Sequence, residues 1–379
     1  MNIESLRARF PVLAKKTYLN TGSYAPLALE VKQAFEQYLD DRLQLGADWP
    51  GWVERGERVR KQVATLLHAE TAEIALTASA SASVNAVASA IDVRSGRDTI
   101  VVSNFEFPTS GQIWHAQERL GARVVHVPEA ADGTIPLEHF ERVIDERTRL
   151  VAISAVCYRN GSRLDVSGIV RIAHARGAWV LLDCFQAAGA LEVDVQALDV
   201  DFAVGGMVKY LLGTSGIGYL YVRRDLIETL LPTQSGWFAQ ANTFAMDVFH
   251  NDPAPDARRF QAGTPAVPNC YAAEAGLDLI FELGLPAIES RVHTLTRRCM
   301  ERLQEIGATP ATPTAAARRG PMVAIRSTDD AQLVSRLAER DIVVTCRDGN
   351  IRAMFHAYND ENDIEALITG LQQNRPLLR

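Results

Sequence analysis

The chain has 379 residues, with 39 Lys and Arg against 46 Asp and Glu, a formal charge of −7. No basic excess exists to neutralise phosphates, which argues against a dedicated nucleic-acid binder. A composition of 47% hydrophobic and 22% charged residues excludes a disordered or fibrous chain and predicts two globular domains at roughly 100–200 residues each.

The start, MNIESLRARFPVLAKK, carries no uninterrupted apolar segment, and no run of about 18 apolar residues follows, so neither secretion nor membrane spanning is expected. Two amphipathic helices come next, LEVKQAFEQYLDDRL and WVERGERVRKQVATLLHA, and SASVNAVASAI reads as a third. From about Thr99 the apolar runs TIVVS, ARVVHV, LVAIS, WVLLD, DFAV and IGYLYV read as strands. GQIWHAQERLG, LEHFERVID and VSGIVRIAHARG lie between them at helical period. Such alternation predicts a mostly parallel sheet covered on both faces, an α/β fold.

After QAGTPAVPN the pattern changes. A helix, CYAAEAGLDLIFELG, ends at Gly284-Leu285-Pro286, and the long helix AIESRVHTLTRRCMERLQEIG follows. The strand MVAIRS, the helix DAQLVSRLAERD, the strands IVVTC and IRAMF and the helix DIEALITGLQ complete a small α+β domain. The expected division is a large domain over 18–284 and a small one from 1–17 with 285–379. TPATPTAAARRG at 309–320 reads as a surface loop. The five cysteines, 157, 184, 270, 299 and 346, form no C-x-x-C pair, and the eight histidines form no H-x-x-x-H. Reduced thiols in a cytoplasmic protein, without a metal site, are expected.

Ligands of open α/β sheets gather at the carboxyl ends of strands. Asp183 ends AWVLLD there, although an acid at that place can also cap the next segment. Lys209 in DFAVGGMVKYLLGTSGIGYLYV is flanked by apolar residues and glycines. An isolated lysine usually snorkels outward, but apolar walls lower its pKa and make it a nucleophile for carbonyls. GTSGIG at 213–218 leads into a strand and has its glycines in the wrong order for a dinucleotide fingerprint, which removes the main support for a nicotinamide oxidoreductase. A buried carboxylate and a nucleophilic lysine on neighbouring strand ends are what pyridoxal phosphate requires. Ser81, in SASVN at a helix start, can serve its phosphate or act as an ordinary capping serine.

The segments resemble the class V aminotransferase superfamily of fold-type I pyridoxal-phosphate enzymes, which includes cysteine desulfurases, kynureninases and isopenicillin-N-epimerase-like proteins. The resemblance runs in family order through YLNTGSYAPL (18–27), ALTASASASVNAVA (75–88), SNFEFPTS (103–110), VCYRNG (156–161), LLDCFQAAG (181–189), VGGMVKYLLGTSGIGYLYV (204–222), RFQAGTPAV (259–267) and IRAMFHAYNDENDI (351–364). It implies pyridoxal 5'-phosphate as cofactor, Lys209 as the Schiff-base lysine and Asp183 as the partner of the pyridine nitrogen. Gln186 would meet the cofactor's phenolic oxygen and Phe107 would stack on its ring, with Phe105 a competitor for that place. Ala80 and Ser81 would grip the phosphate, while Gly263 and Thr264 would reach the phosphate of a neighbouring subunit in a homodimer. Arg352 would take the substrate α-carboxylate, which a guanidinium fork binds bidentately. Asn20, Gly22 and Ser23 would line the substrate entrance, and Tyr158 the oxygen side of the cofactor or merely the packing.

The chain also departs from the desulfurase pattern. Gly206 and Val208 stand where desulfurases carry phosphate-binding Ser and His, and Phe107 replaces their stacking His. Cys346 lies only six residues before Arg352 within an apparent strand-turn-strand, so a structural thiol is expected there and persulfide transfer is disfavoured. Phe107-Pro108-Thr109 and Trp237 resemble kynureninases. The expectation is therefore an enzyme that abstracts the Cα proton of an amino acid, acting as a β-lyase of the cysteine-lyase or kynureninase type. The alternatives are an aminotransferase and, from another class, a non-catalytic binding protein on the same fold.

Overall fold

The computed structural model describes residues 2–379. Its strands, in chain order, are β1 (Thr17–Tyr18), β2 (Ile74–Thr77), β3 (Thr99–Ser103), β4 (Arg123–Val127), β5 (Thr148–Ser154), β6 (Trp179–Asp183), β7 (Phe202–Gly206), β8 (Gly218–Val222), β9 (Met322–Arg326), β10 (Ile342–Val343), β11 (Thr345–Arg347) and β12 (Asn350–Met354). Seven of them form the large sheet, in the order β2-β8-β7-β6-β5-β3-β4.

Alternation along these strands explains the two covered faces. Val101, Val151, Ile153, Val180, Leu182 and Ala203 point into one core with the helices Trp49–Leu67, Val166–Ala175 and Val267–Leu283. Their chain neighbours Ile100, Val102, Leu150, Ala152, Leu181 and Val204 point into a second core under the helices Ala80–Ala90 and Pro108–Ala116. A period of two with both phases apolar marks a strand buried on both sides. The sheet is mostly parallel, as expected, with one exception: β8 runs antiparallel to both β7 and β2. Gly218 opens β8 because a Cβ there would stand 2.7 Å from the carbonyl carbon of Ser79 and 2.9 Å from the nitrogen of Ala80.

A third core belongs to the small antiparallel sheet β11-β12-β9 and the helices Leu285–Glu305, Asp330–Ala338 and Glu361–Gln373. The break at Gly284 is present, with φ 78° between two helices, a left-handed conformation that glycine adopts without strain. The N-terminal segment reaches two of the three cores: Leu6, Phe10 and Leu13 join the first, while Thr17 and Tyr18 pair with Ile342 and Val343 beside the third. No helix among the described residues is long and apolar enough to cross a membrane.

Three local expectations require correction. IVVTC is two strands, not one, since β10 pairs with β1 and β11 turns to β12. LEHFERVID is helical only over Leu137–Glu141. The 309–320 segment is more than a surface loop, because Thr312 and Arg319 are both 3% exposed. The Thr312 hydroxyl donates to the carbonyl of Asn160 at 2.6 Å and accepts the N–H of Ala324 at 2.8 Å, ties that composition does not reveal.

Candidate active site

The carboxyl ends of β3, β5, β6 and β7 converge on a cavity of about 220 Å³, lined among others by Ala80, Ser81, Phe107, Tyr158, Asp183, Gln186 and Lys209. Asp183 is the last residue of β6. Its Oδ1 accepts the N–H of Phe185 at 2.7 Å, and burial raises its pKa against the opposing pull of that bond and of Lys209. Lys209 follows β7 in a tight turn, in which the N–H of Leu212 returns to the Lys209 carbonyl at 3.0 Å. The N-terminal segment clamps this turn, Ala25 N–H donating to the Val208 carbonyl at 2.9 Å.

The Lys209 amine stands 4.0 Å from the ring centre of Phe185 and 5.8 Å from that of Phe107. Burial lowers its pKa from 10.5 to about 8; Asp183 opposes this and Arg352 adds to it. Lys209 and Asp183 keep some surface on the cavity, but the low-dielectric walls outweigh that opening for the amine. A share of the neutral, nucleophilic form is thus present near neutral pH.

One end of the cavity is a helix start. Ser79 caps Ala80–Ala90, its hydroxyl accepting the N–H of Ala82 at 3.1 Å, and the neighbouring N–H groups of the first turn make an anion-binding end. Phe107, 44% exposed, meets Tyr158 edge-on with ring centres 5.1 Å apart. Phe105, its competitor, is fully buried in the core. The Gln186 amide nitrogen donates to the Gly22 carbonyl at 2.9 Å. A Cβ on Gly22 would stand 2.6 Å from Gln186 Oε1, Met354 Sδ and Tyr210 Oη alike, so the backbone passes there only as glycine.

Arg352 lies on β12, 4% exposed. It donates to the Tyr158 carbonyl at 2.7 Å and the Thr345 hydroxyl at 2.8 Å, and its Nε has no partner. Asn20 bridges to Met354 beside it and keeps a buried, unpartnered Oδ1, while Ser23 is exposed. Thr264 is not brought to this cavity. With Gly263 it lines a separate one of about 250 Å³ beside Trp52, Arg60, Phe238 and Phe244.

Sequence reasoning missed Glu106 and Ser154. Glu106 is 8% exposed, its Oε1 accepts the Ser154 hydroxyl at 2.7 Å, and burial first, then Asp183, pushes its pKa up to about 8. Its place before Phe107 was the only signal. Tyr210 was missed as well: its ring stacks with His356, which stacks with Tyr358, at 6.2 and 5.5 Å between centres. His356 Nε2 meets the Tyr210 carbonyl at 3.0 Å, which fastens the small domain to the lysine turn.

Comparison with known proteins adds the following. The family model for aminotransferase class-V matches residues 52–367. An uncharacterized aminotransferase, YcbU, of Bacillus subtilis is 32% identical over 96% of each chain. A kynureninase of Deinococcus radiodurans is 34% identical over 84% of this chain and 78% of its own. The solved apo structure of a cysteine desulfurase from Thermococcus onnurineus superposes with a TM-score of 0.89 at 25% identity, over 98% of this chain and 97% of that one. The chain therefore belongs to the class-V aminotransferases, enzymes that use pyridoxal 5'-phosphate.

Proposed function

We propose that this enzyme is a β-lyase acting on an amino acid with a free α-carboxylate. The observation that carries the reading is one cavity with a neutralisable amine, Lys209, and a carboxyl group, Asp183, on its walls and Arg352 buried beside it. These residues fit pyridoxal phosphate. An amine with a lowered pKa suits an aldehyde, a carboxylate suits a protonated ring nitrogen, and a helix start with free N–H groups suits a phosphate.

When bound, the cofactor supplies an electrophilic carbon for amine capture and a ring that withdraws the charge left at Cα. In this reading Lys209 would hold the aldehyde, and its free amine would take the Cα proton of the substrate. Asp183 keeps the ring nitrogen protonated. Ala80 and Ser81 would hold the phosphate, Phe107 would cover the ring, and Gln186 and Tyr158 would serve the phenolic oxygen. Arg352 orients the substrate carboxylate near Asn20, Gly22 and Ser23.

One feature favours the lyase outcome, and another speaks against persulfide transfer. Phe107-Pro108-Thr109 is kynureninase-like, in keeping with the kynureninase relative. Cys346 is half-buried on β11, with its thiol pKa raised by burial and by Asp330, the opposite of an activated persulfide carrier. The similarity to YcbU over both whole chains favours an aminotransferase as the second reading. Assays of pyruvate or alanine release against keto-acid-dependent amino transfer separate the two, and a strict need for keto acid overturns the lyase. Borohydride treatment of the loaded enzyme is expected to fix a pyridoxyl group on Lys209, and none on the Lys209→Ala variant.

A homodimer is part of the reading. Thr264 lies away from the lysine cavity, and the segment near it exposes Phe244, Met246, Val248 and Phe249, the last 86% exposed, an apolar patch that a second copy would cover. Light scattering reads the mass directly, and a monomer would remove Thr264 from the phosphate site. We also assign 18–284 to the large domain and 1–17 with 285–379 to the small one, in a cytoplasmic protein.

A further inference from the structure

Two carboxyl groups sit just past the end of β3 and at the end of β6, with β5 between them, and they are not equally served. Asp183 has a backbone N–H at 2.7 Å and the Lys209 amine opposite. Glu106 accepts one hydrogen bond, from the Ser154 hydroxyl at 2.7 Å, and forms no ion pair among the described residues. Ser154 links the two, because it is the register partner of Asp183 across β5 and β6. Glu106 Oε2 is buried without a partner, as is the Ser110 hydroxyl near it. A buried carboxylate oxygen left bare is costly, whereas a carboxylic O–H in its place is a donor for just such a hydroxyl.

The geometry points to Glu106 as a neutral carboxylic acid that holds the single proton of a Glu106–Asp183 pair and acts as a positioning residue, leaving Asp183 the one anion at the cavity wall. Two like charges linked through Ser154 in a low-dielectric site disfavour joint ionisation, so one proton stays. The cation and the backbone donor are on the Asp183 side, and that decides where the anion resides. The raised pKa of Glu106, about 8, agrees. The other groups facing Asp183 are Cys184 and Tyr219, both held neutral by burial, and Arg352 acts from beyond Lys209. None supplies Glu106 with a positive partner. The consequence for catalysis rests on the proposed role of Asp183 at the ring nitrogen: a proton parked on Glu106 keeps the Asp183 charge fixed.

The test uses the cofactor-free, full-length protein, so its outcome is independent of the proposed reaction. Infrared spectra across pH 6–9 are expected to contain a protonated carboxylic acid band that is absent from Glu106→Gln and fades on alkalisation. In Asp183→Asn the neighbouring charge is gone, and the same band is expected to titrate at least about one pH unit lower. A wild-type spectrum without the band at pH 6–7, or a band that Asp183→Asn leaves in place, would overturn the assignment. The unfolding midpoint in urea supplies a second profile. Wild type is expected to lose stability relative to Glu106→Gln as pH rises from about 4.5 to about 8, with no further loss above that, and parallel profiles would count against the inference. Should Glu106→Gln not fold, the wild-type and Asp183→Asn spectra suffice. In the loaded enzyme, Glu106→Gln is expected to retain the borohydride-trapped lysine while Glu106→Ala, which strips Ser154 of its acceptor, retains less cofactor.

Discussion

Replacing Lys209 by Met is expected to make the cofactor-free protein more stable while abolishing its chemistry. The substitution keeps the aliphatic stem and removes a cation held among Phe185, Phe107 and Asp183. The amine pKa falls from 10.5 in the free side chain to about 8 in the fold, which sets a ceiling of about 3.5 kcal/mol. Water in the open cavity lowers it to about 2 kcal/mol. A base with a depressed folded pKa is costly wherever it must be charged in both states, below about pH 8, and the cost disappears as pH rises toward 10.5. The gain of Lys209→Met is therefore full at pH 7 and absent near pH 10.5. Urea unfolding at fixed protomer concentration, at pH 7, 8.5 and 10, reads it. A variant less stable than wild type at pH 7, or a gain that does not change with pH, would sink the reasoning.

The remaining expectations concern other parts of the site. Arg352→Lys loses the fork geometry and one of two placed hydrogen bonds, so KM for the amino acid should rise about tenfold to a hundredfold with kcat less affected; an unchanged KM places the carboxylate elsewhere. Cys346→Ser should leave turnover within about twofold, since a half-buried thiol with a raised pKa is a packing group; its loss would restore persulfide chemistry to consideration. Ser79→Ala removes the cap of the helix at the proposed phosphate end and should cost about 1 kcal/mol, with weaker cofactor retention measured by dialysis. Gly22→Ala forces a methyl to within 2.6 Å of three side-chain atoms. It should lower stability by about 1–3 kcal/mol, and a neutral result would mean that the entrance segment yields.

How much of this was legible in the chain itself depended on whether the signal was local. WVLLD and DFAV announce strands through their β-branched and apolar runs, and the rule that sites gather at strand ends then singles out Asp183 and Lys209 from their own neighbourhoods. Ser154 and Glu106 offered no such cue. Ser154 matters because it lies opposite Asp183 in a register that only the folded sheet defines, and Glu106 is an ordinary acid until burial beside Asp183 makes it unusual. The reversal of β8 was equally hidden, since IGYLYV is apolar on both phases whichever way it runs. Val344 separates two pairings inside one β-branched run, and nothing in IVVTC marks where. Arg319 and Thr312 are buried within an Ala-rich stretch whose composition resembles solvent-exposed loop.

That lone reversed strand has a mechanical meaning. Because β7 leaves the sheet and β8 comes straight back beside it, the segment bearing Lys209 is anchored at both feet, and the Tyr210–His356 stack pins its crest from above. If Lys209 serves as proposed, a tether in one instant and a proton acceptor in the next, it has only its own flexible stem to move with. The backbone is a fixed mast, and every excursion of the amine is a swing about it.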